Sequence, residues 1–196
     1  HSTTYNLAKY LHRASRFPVY KNTKVTYFPS GQEKFKALKE ELLKAKKFIF
    51  LEYFIIDEGL MWGEILGILE QKVAEGVEVR VMYDGLIELS TLSLDYSKRL
   101  EKLGIKAKVF SPITPFVSTY YKVAFNGGIN LADKYINAIN RFGYWKDTAV
   151  MLEGEAVRSF TLMFLQMWST TSEVYHFEPY LTEEASSPQE AGFVIP

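Results

Sequence analysis

Two adjacent glycines, with an asparagine two positions further on, form the segment of this chain that best suits binding of an anion: Gly127-Gly128-Ile129-Asn130. Glycine has no Cβ, so its backbone can approach a bulky phosphate closely and can take unusual φ values at little cost. The side-chain amide of Asn130 can donate a hydrogen bond to a phosphoryl oxygen. The residues alone also allow a plain turn, because glycine pairs are common in turns.

Two carboxylates occupy positions where they need a partner or a particular place in the fold. Glu52 lies within a mostly apolar run, residues 50–54, where an unpaired carboxylate would be costly to bury. It is therefore predicted to line a cleft, to form a structural ion pair, or to stand at an exposed strand edge. Asp147 poses the same choice, and a structural role is its preferred interpretation.

Strand and helix signals alternate from Val25 to Phe110, which predicts an α/β fold with strands covered by helices. The first helix is marked by the capping-box spacing of Ser30 and Glu33. Its apolar residues fall on one face, and its Lys and Glu residues are predicted to form the opposite, solvated face. The run from Phe48 to Ile56 is too short for a helix and is rich in aromatic residues and isoleucine. It is predicted to be a central strand buried on both faces.

The remaining elements are predicted from apolar periodicity and from glycine stops. No periodicity is found between Ser111 and Val123, so no strand is predicted there. Tyr144 and Trp145 are expected in the core or in a cleft wall. The other predicted elements are a helix at about Met61–Glu75, a strand over 77–83, a helix around Tyr96–Leu103, strands at Ile105–Phe110 and Ala149–Leu152, and a helix at Glu155–Trp168.

Composition bounds the class of protein. With 196 residues, 47% of them hydrophobic, the chain can bury one substantial core. Its 23 Lys and Arg residues balance 23 Asp and Glu residues, so no global field directs it to nucleic acid or to an anionic bilayer. The absence of cysteine excludes a disulfide framework and a thiolate metal site. No apolar run approaches the roughly 20 residues of a membrane-spanning helix, so no segment is expected to cross a membrane.

Three segments are predicted along the chain. Residues 1–22 form a lead-in, residues 23–170 form one domain, and the acidic stretch 171–196, with interspersed Ser and Pro, is a linker or irregular tail. The start at His1 instead of methionine suggests a fragment of a longer protein. The basic and apolar residues of the lead-in predict either a membrane-surface segment or an ordinary solvated helix. They are Lys9, Tyr10, Leu11, Arg13, Arg16 and Phe17.

Several blocks together resemble the phospholipase D superfamily and, within it, the bacterial cardiolipin synthases. The resemblance spans roughly Leu7 to Trp168, and the order of the blocks makes it stronger than any single block. The family motif reads histidine, any residue, lysine, four residues, aspartate, six residues, then Gly-Gly-any-Asn. Besides the segment at Gly127, the matching blocks are 50–54 (Phe-Leu-Glu-Tyr-Phe), 79–85 (Val-Arg-Val-Met-Tyr-Asp-Gly), 99–105 (Arg-Leu-Glu-Lys-Leu-Gly-Ile) and 141–157.

The catalytic first half of that motif is missing from this chain. Residues 122–126 fill five of the six spacer positions before Gly127, but the chain upstream reads Ser118-Thr119-Tyr120-Tyr121. By the family's spacing, about a dozen residues are missing between Tyr120 and Lys122. Three explanations compete: a disordered loop omitted from the sequence as written, an engineered deletion, or natural loss. Omission is preferred, because natural excision with both flanks intact would be a coincidence, and it implies a mobile loop.

The resemblance implies a fold and a reaction. The fold is an α/β/α sandwich, a mixed β-sheet flanked by helices on both faces. The reaction moves a phosphatidyl group from one phosphatidylglycerol to another and releases glycerol, without a metal or another cofactor. A histidine attacks the phosphorus, while lysine and asparagine donors offset charge on the phosphoryl oxygens. A second histidine, from a second copy of the motif, serves as general acid and then as general base.

Site residues and partners are also implied by the resemblance. Gly127, Gly128 and Asn130 would bind the phosphate, Glu52 would line the site and orient the catalytic histidine, and Asp147 is a further candidate lining residue. A second phospholipase D-like domain or a second copy of the chain would complete the active site. Family members carry N-terminal transmembrane helices, so the parent protein is expected in the bacterial cell membrane and this fragment in solution. No nucleic-acid partner is expected.

The histidines that are present do not replace the missing one. His1, His12 and His176 each lack a lysine two residues later, so each is predicted to be solvated or structurally satisfied. The chain as written is therefore expected to be inactive. Two other functions compete with phosphatidyl transfer: another phosphodiesterase activity, as in a phospholipase or nuclease, and a non-catalytic role in dimerisation or lipid-surface binding.

Overall fold

A computed structural model describes residues 2–15, 17–85, 91–110, 117–120, 123–170, 176–181 and 192–196. Within these ranges the chain forms five α-helices, seven β-strands and two short 3-10 helices. The helices are α1 (Ser2–Ser15), α2 (Gly31–Lys44), α3 (Leu60–Ala74), α4 (Tyr96–Lys102) and α5 (Val157–Ser169), and the 3-10 helices are Asp133–Ile136 and Glu178–Tyr180. The strands are β1 (Thr23–Phe28), β2 (Phe48–Tyr53), β3 (Glu78–Asp84), β4 (Lys106–Phe110), β5 (Val117–Tyr120), β6 (Val123–Gly127) and β7 (Ala149–Gly154).

All of these strands join one mixed sheet in the order β1-β7-β6-β5-β2-β3-β4. β2, β3 and β4 run parallel to one another, and the remaining neighbours are antiparallel. Every residue of β2 is buried, which confirms the prediction of a central strand covered on both faces.

Helices cover both faces of the sheet, as the resemblance implies. α2, α3 and α4 pack on one face, where apolar residues such as Leu38, Ile65 and Leu100 meet the side chains of Leu51 and Val81. α5 packs on the other face. There the ring of Phe164 stacks on that of Phe50, with centroids 4.7 Å apart. The fold is therefore a mixed α/β sandwich, as predicted.

The start of α2 agrees with the prediction in its cap but not in its polar face. The Ser30 hydroxyl accepts a hydrogen bond from the backbone N–H of Glu33 at 3.3 Å, as capping-box spacing requires. Lys34, however, is only 3% exposed, so the prediction that it lies on a solvated face is wrong. Lys34 is four residues before Leu38, and Leu38 is four before Leu42, so all three lie on the buried stripe of the helix.

Two further predictions need correction. β5 lies in the stretch where no strand was predicted, and it pairs with both β2 and β6. Tyr144 is 72% exposed and so lies outside the core, whereas Trp145 is partly buried and packs against the main core cluster.

Parts of the predicted tail contact the domain. The Tyr180 hydroxyl donates a hydrogen bond to Glu78 at 2.7 Å and accepts one from Arg80 at 2.7 Å. Near the other end of the tail, Tyr20 and Val194 exchange two backbone hydrogen bonds of 2.9 and 2.8 Å. The boundaries 1–22, 23–170 and 171–196 remain predictions.

α1 is exposed along most of its length, and Tyr5 and Tyr10 are each 68% exposed. Both of its predicted roles, a solvated helix and a membrane-surface segment, stay predictions. Among the described residues, no helix combines the length and the apolar character needed to span a bilayer.

Candidate functional site

The candidate phosphate-binding turn follows directly from the β5–β6 hairpin. Tyr120 pairs with Val123 at the closed end of the hairpin, and Gly127 ends β6 opposite Ala149 of β7. The predicted junction of the missing catalytic residues, at 121–122, lies outside the described residues.

Packing against the start of β7 requires glycine at 127 and disfavours a side chain at 128. Gly127 has a φ of +155°, and a Cβ there would lie 2.5 Å from the carbonyl oxygen of Thr148. A Cβ on Gly128 would lie 2.6 Å from each carboxylate oxygen of Asp147. The absence of side chains therefore has a structural reason even without a ligand.

Asn130 fixes the turn to the end of β2. Its Oδ1 accepts a hydrogen bond from the backbone N–H of Ile55 at 3.0 Å. Its Nδ2 donates to the Tyr135 hydroxyl at 3.3 Å and to the Gly128 carbonyl at 3.4 Å, distances beyond the usual range for a strong bond. Asn130 is buried, and donation from its amide to a phosphate remains a prediction.

Asp147 lies beside the turn and is half-buried. Its Oδ1 accepts a hydrogen bond from the backbone N–H of Thr148 at 2.8 Å. Burial raises the pKa of the neighbouring Tyr135 hydroxyl, and the charge of Asp147 raises that pKa further. The structure thus brings Asp147 together with Gly128 and Tyr135, while its role in binding or catalysis stays untested.

Glu52 is a buried carboxylate on an interior strand. Side chains alternate along β2, so Glu52 shares the face of Phe48 and Phe50 that packs against α5. β2 lies between β5 and β3, so Glu52 is not at a strand edge. It is 8% exposed, and burial raises the pKa of its carboxyl from 4.5 to about 7.

Among the described residues, none forms a hydrogen bond or ion pair with the Glu52 side chain. On β6, Asn126 and Ala124 lie two positions apart and point to the same face of the sheet, whereas Phe125 points to the other face. Ala124 packs toward α5. Asn126 is therefore directed to the same sheet face as Glu52. β5 lies between the strands that carry these two residues.

Lys34 supports the turn from the opposite face of the sheet. Its Nζ donates to the carbonyl oxygen of Ile129 at 3.2 Å and to the Tyr53 hydroxyl at 2.9 Å, and it lies 4.8 Å from the centre of the Tyr53 ring. No ion-pair partner for it is found in the described part of the chain. Sequence reasoning missed this residue, although its spacing from Leu38 and Leu42 could have revealed it.

Asp133 connects the segment after the turn to α3. Its carboxylate accepts hydrogen bonds from the backbone N–H groups of Leu60 at 3.0 Å and Met61 at 2.7 Å. A carboxylate at a helix N-terminus satisfies unpaired donors and interacts favourably with the helix dipole. A cap from a residue more than 70 positions away has no local sequence signal, so only the fold reveals it.

No protein-family model matches the chain. Among solved structures, NucT from Helicobacter pylori is similar with a TM-score of 0.62 and 13% identity, covering 76% of this chain and 97% of that one. The phospholipase D family member Nuc from Salmonella typhimurium gives a TM-score of 0.59 and 16% identity, covering 75% and 93%. Phosphatidylserine synthase from Haemophilus influenzae Rd KW20 gives 0.61 and 12%, covering 87% and 45%. The fold is that of the phospholipase D superfamily.

Relatives identified by sequence show which family of the superfamily this chain resembles. A cardiolipin synthase of Oceanobacillus iheyensis is 34% identical over 91% of this chain, and one of Halalkalibacterium halodurans is 32% identical over 96%. An uncharacterized protein of Streptococcus mutans is 74% identical over the whole chain. Within the superfamily, the chain is thus a homologue of the cardiolipin synthases over most of its length. It spans 40% of the length of each of those two synthases and 45% of the Streptococcus mutans protein.

Proposed function

We propose that this chain is the first of two phospholipase D-like domains of a cardiolipin synthase. The parent enzyme would transfer a phosphatidyl group between two phosphatidylglycerol molecules through a phosphohistidine intermediate. A second domain or a second copy of the chain would supply the other histidine, and the parent protein would act at the cell membrane. The similarity to cardiolipin synthases supports this proposal. The length of the alignments supports the presence of the missing catalytic residues in the parent protein.

The alignments with two relatives contain more positions than this chain has residues. The alignment with the Streptococcus mutans protein runs over 209 residues against 196 in this chain, a difference of 13. The alignment with the Halalkalibacterium halodurans synthase runs over 203 residues for 96% of this chain. A surplus of this size matches the dozen or so residues that the motif lacks. Motif spacing, rather than length, assigns them to the interval between Tyr120 and Lys122.

The β5–β6 hairpin lies beside β2, the strand that carries Glu52. A segment inserted at the hairpin would enter the sheet between β2 and β6, between the strands that carry Glu52 and Asn126. The same insertion would precede the turn at Gly127 and Gly128. Val123, beside the hairpin, and Gly127, in the turn, lie at opposite ends of β6. The inserted residues would therefore have to run along β6 to its Gly127 end for the two halves of the proposed site to meet.

Each residue of this chain has a proposed task in that site. The turn at Gly127, Gly128 and Asn130 would hold the phosphate through backbone N–H groups and the asparagine amide. Glu52, whose carboxyl has a pKa of about 7, would hydrogen-bond to the attacking imidazole and orient it. Asp147 would line the site beside Gly128 without touching the phosphorus.

The coding sequence and an activity assay test the proposal. Protein from the complete gene is expected to contain a histidine and a lysine between Tyr120 and Lys122 and to convert phosphatidylglycerol into cardiolipin, measured by thin-layer chromatography. The chain as written is the matched control and is expected to form no product. A gene that runs directly from Tyr120 through Tyr121 to Lys122 would overturn the catalytic proposal.

One observation favours the non-catalytic alternative: the chain as written carries no histidine in the motif. A domain of this kind would use the fold for dimerisation or lipid-surface binding only. An intact mass above the 22.6 kDa of this sequence would remove that alternative for the purified protein. A nucleic-acid cleavage assay beside the lipid assay separates phosphatidyl transfer from a nuclease activity.

A further inference from the structure

A loop beside the candidate phosphate-binding turn exposes large apolar side chains. We call residues 137–146 the aromatic-basic loop. Phe142 is 75% exposed, Tyr144 is 72% exposed and Ile139 is 49% exposed. Exposure of three large apolar groups within six residues costs hydrophobic free energy that a monomeric protein usually avoids. Such a group of side chains marks a contact surface.

The charged side chains within the segment 134–146 are all basic, and Asp133 and Asp147 flank it. Lys134, Arg141 and Lys146 are basic, and the segment 134–146 contains no Asp or Glu. In the described part of the chain, neither Arg141 nor Lys146 has a carboxylate partner. The Arg141 guanidinium lies 5.2 Å from the centre of the Phe142 ring. The loop is thus a local cationic patch on a chain whose net charge is zero.

The loop is held in a defined shape at its base. Asn137, in the left-handed conformation with φ of 56°, accepts a hydrogen bond from the Trp145 N–H at 2.6 Å and donates one to the Trp145 carbonyl at 2.9 Å. Within the loop, the Asn140 side chain accepts a bond from the Gly143 N–H at 2.8 Å. These bonds fix the ends and the turn of the loop while leaving its apolar tip outside.

The base of the loop also connects it to the turn. The Trp145 ring packs edge-on against the Tyr135 ring, with centroids 4.9 Å apart. The Tyr135 hydroxyl in turn accepts a hydrogen bond from Asn130 of the turn at 3.3 Å. A surface bound by the loop tip would therefore lie at a fixed position relative to the turn.

We infer that the aromatic-basic loop docks on an anionic phospholipid surface, inserts Phe142 and Tyr144 at the interface and holds the phosphate-binding turn at the level of the headgroups. Aromatic rings favour the membrane–water interface, and basic residues are attracted by anionic headgroups. The exposed aliphatic side chain of Ile139 fits a lipid surface better than a nucleic acid, which offers stacking but no apolar interior. The part of this inference that concerns the headgroup rests on the proposed function of the turn; the docking itself does not.

A single fluorophore tests whether the loop tip enters the lipid. The chain has no cysteine, so Phe142→Cys creates one unique site for an environment-sensitive dye. With vesicles of phosphatidylglycerol and phosphatidylcholine, the dye emission is expected to shift to the blue and to intensify. Vesicles of phosphatidylcholine alone should leave it unchanged. Tyr27→Cys on β1, where Tyr27 is 60% exposed, is the control and should respond to neither vesicle.

Truncation of the tip measures its contribution to binding. Phe142→Ala with Tyr144→Ala is expected to weaken binding to phosphatidylglycerol vesicles by roughly tenfold for each ring. Arg141→Gln with Lys146→Gln is expected to weaken it by roughly fivefold for each charge and to reduce its salt dependence. The matched control, Val25→Ala with Tyr27→Ala, removes two exposed apolar side chains elsewhere and should bind as the wild type does. Circular dichroism confirms that each variant is folded.

Two outcomes would overturn the inference: no binding of the wild-type chain to phosphatidylglycerol vesicles, or equal binding by the wild type and the loop variants. If vesicle binding is absent and the loop substitutions abolish binding of a single-stranded oligonucleotide, the loop binds nucleic acid instead. Equal binding by the variants would assign lipid contact to another segment, such as α1. The vesicle assay needs no turnover. Failure of phosphatidyl transfer with intact, loop-dependent vesicle binding would refute the proposed reaction only.

Discussion

Lys34 and Glu52 are both buried ionisable residues, but they lie on opposite faces of the sheet and in different surroundings. Lys34 donates hydrogen bonds to Ile129 and Tyr53. Glu52 has no hydrogen bond or ion pair with any other described residue, and burial raises its carboxyl pKa to about 7. The Lys34 ammonium is thus stabilised by hydrogen bonds, whereas ionisation of the Glu52 carboxyl lowers the stability of the fold.

This difference separates a supporting residue from a candidate functional residue. A buried polar group with partners repays part of its desolvation cost, so its retention needs no function beyond the fold. A buried carboxyl without a partner lowers stability, so its retention needs a reason beyond the fold, and strongly shifted pKa values are common at functional sites. Glu52 is therefore the better candidate for a role in chemistry, and Lys34 for positioning of the turn.

Glu52→Gln tests the cost of the unpartnered carboxyl. The pKa of the Glu52 carboxyl is about 7 in the folded chain and 4.5 in the unfolded chain, so between these pH values the folded chain holds a proton that the unfolded chain has released. The free energy of unfolding therefore falls as pH rises through this window. The substitution is expected to raise the free energy of unfolding at pH 8 by up to ~3 kcal/mol and to have little effect at pH 4. Urea denaturation at the two pH values measures the difference.

The surface variant Glu153→Gln makes the same chemical change in an exposed ion pair with Lys24 and controls for it. It should change stability by less than ~1 kcal/mol at either pH. If Glu52→Gln lowers stability at pH 8, Glu52 has a stabilising partner and the comparison with Lys34 fails.

Lys34→Met is expected to act in the opposite direction. It leaves the Ile129 carbonyl and the Tyr53 hydroxyl without their donor, which should lower the free energy of unfolding by ~2 kcal/mol. Hydrogen exchange at the amides of residues 128–131 should become faster, because the turn loses its support. Denaturation and exchange detected by mass spectrometry measure the two effects.

Lys72→Met is the matched control for Lys34→Met. Lys72 is also buried, but its ammonium pairs with the half-exposed carboxylate of Glu75, far from the turn. The control should cost less and leave exchange at residues 128–131 unchanged. Equal exchange in both variants would show that Lys34 does not position the turn.

Asp133→Ala removes a carboxylate that, unlike Glu52, has two donors. The backbone N–H groups of Leu60 and Met61 lose their acceptor, and stability should fall by ~1 kcal/mol, the usual cost of a lost helix cap. Asp133→Asn retains one acceptor oxygen and should cost less. An unchanged melting temperature for the alanine variant would contradict the capping role.

A double-mutant cycle tests the contact between Gly128 and Asp147. Gly128→Ala places a Cβ against the Asp147 carboxylate, and because that side chain is only half-buried it can move, so the cost should be ~1 kcal/mol or less. In an Asp147→Ala background the same substitution should cost still less, which gives a coupling energy of ~0.5 kcal/mol. Purely additive effects of the two substitutions would show that Asp147 and Gly128 are not energetically coupled.

Local patterns in the sequence predict the framework of the fold. The Ser30 cap, the buried run of β2 and the glycine stop at Gly76 each depend on neighbours within a few residues, and the structure confirms each one. β5 was missed because four residues without apolar alternation carry too little signal. The extended conformation of β5 results from its pairing with β2 and β6.

The site is predictable only in part, for a physical reason. Burial of Glu52 could be inferred from its apolar neighbours in one strand. The contacts of Lys34 with Ile129, and of Asp133 with Leu60, join residues more than 70 positions apart and depend on how the layers pack. The exposure of Tyr144 likewise follows from the closed base of its loop rather than from the hydrophobicity of the segment.

The two backbone hydrogen bonds between Tyr20 and Val194 have a mechanical consequence. Tyr20 precedes the first strand, and Val194 lies in the last described stretch, so tension along the chain from both directions would meet at this pair. The pair would yield before any strand of the sheet was loaded. Pulling on the flanking segments would then break this pair first and draw Val194 away from the apolar cluster of Ala124, Leu152 and Phe160.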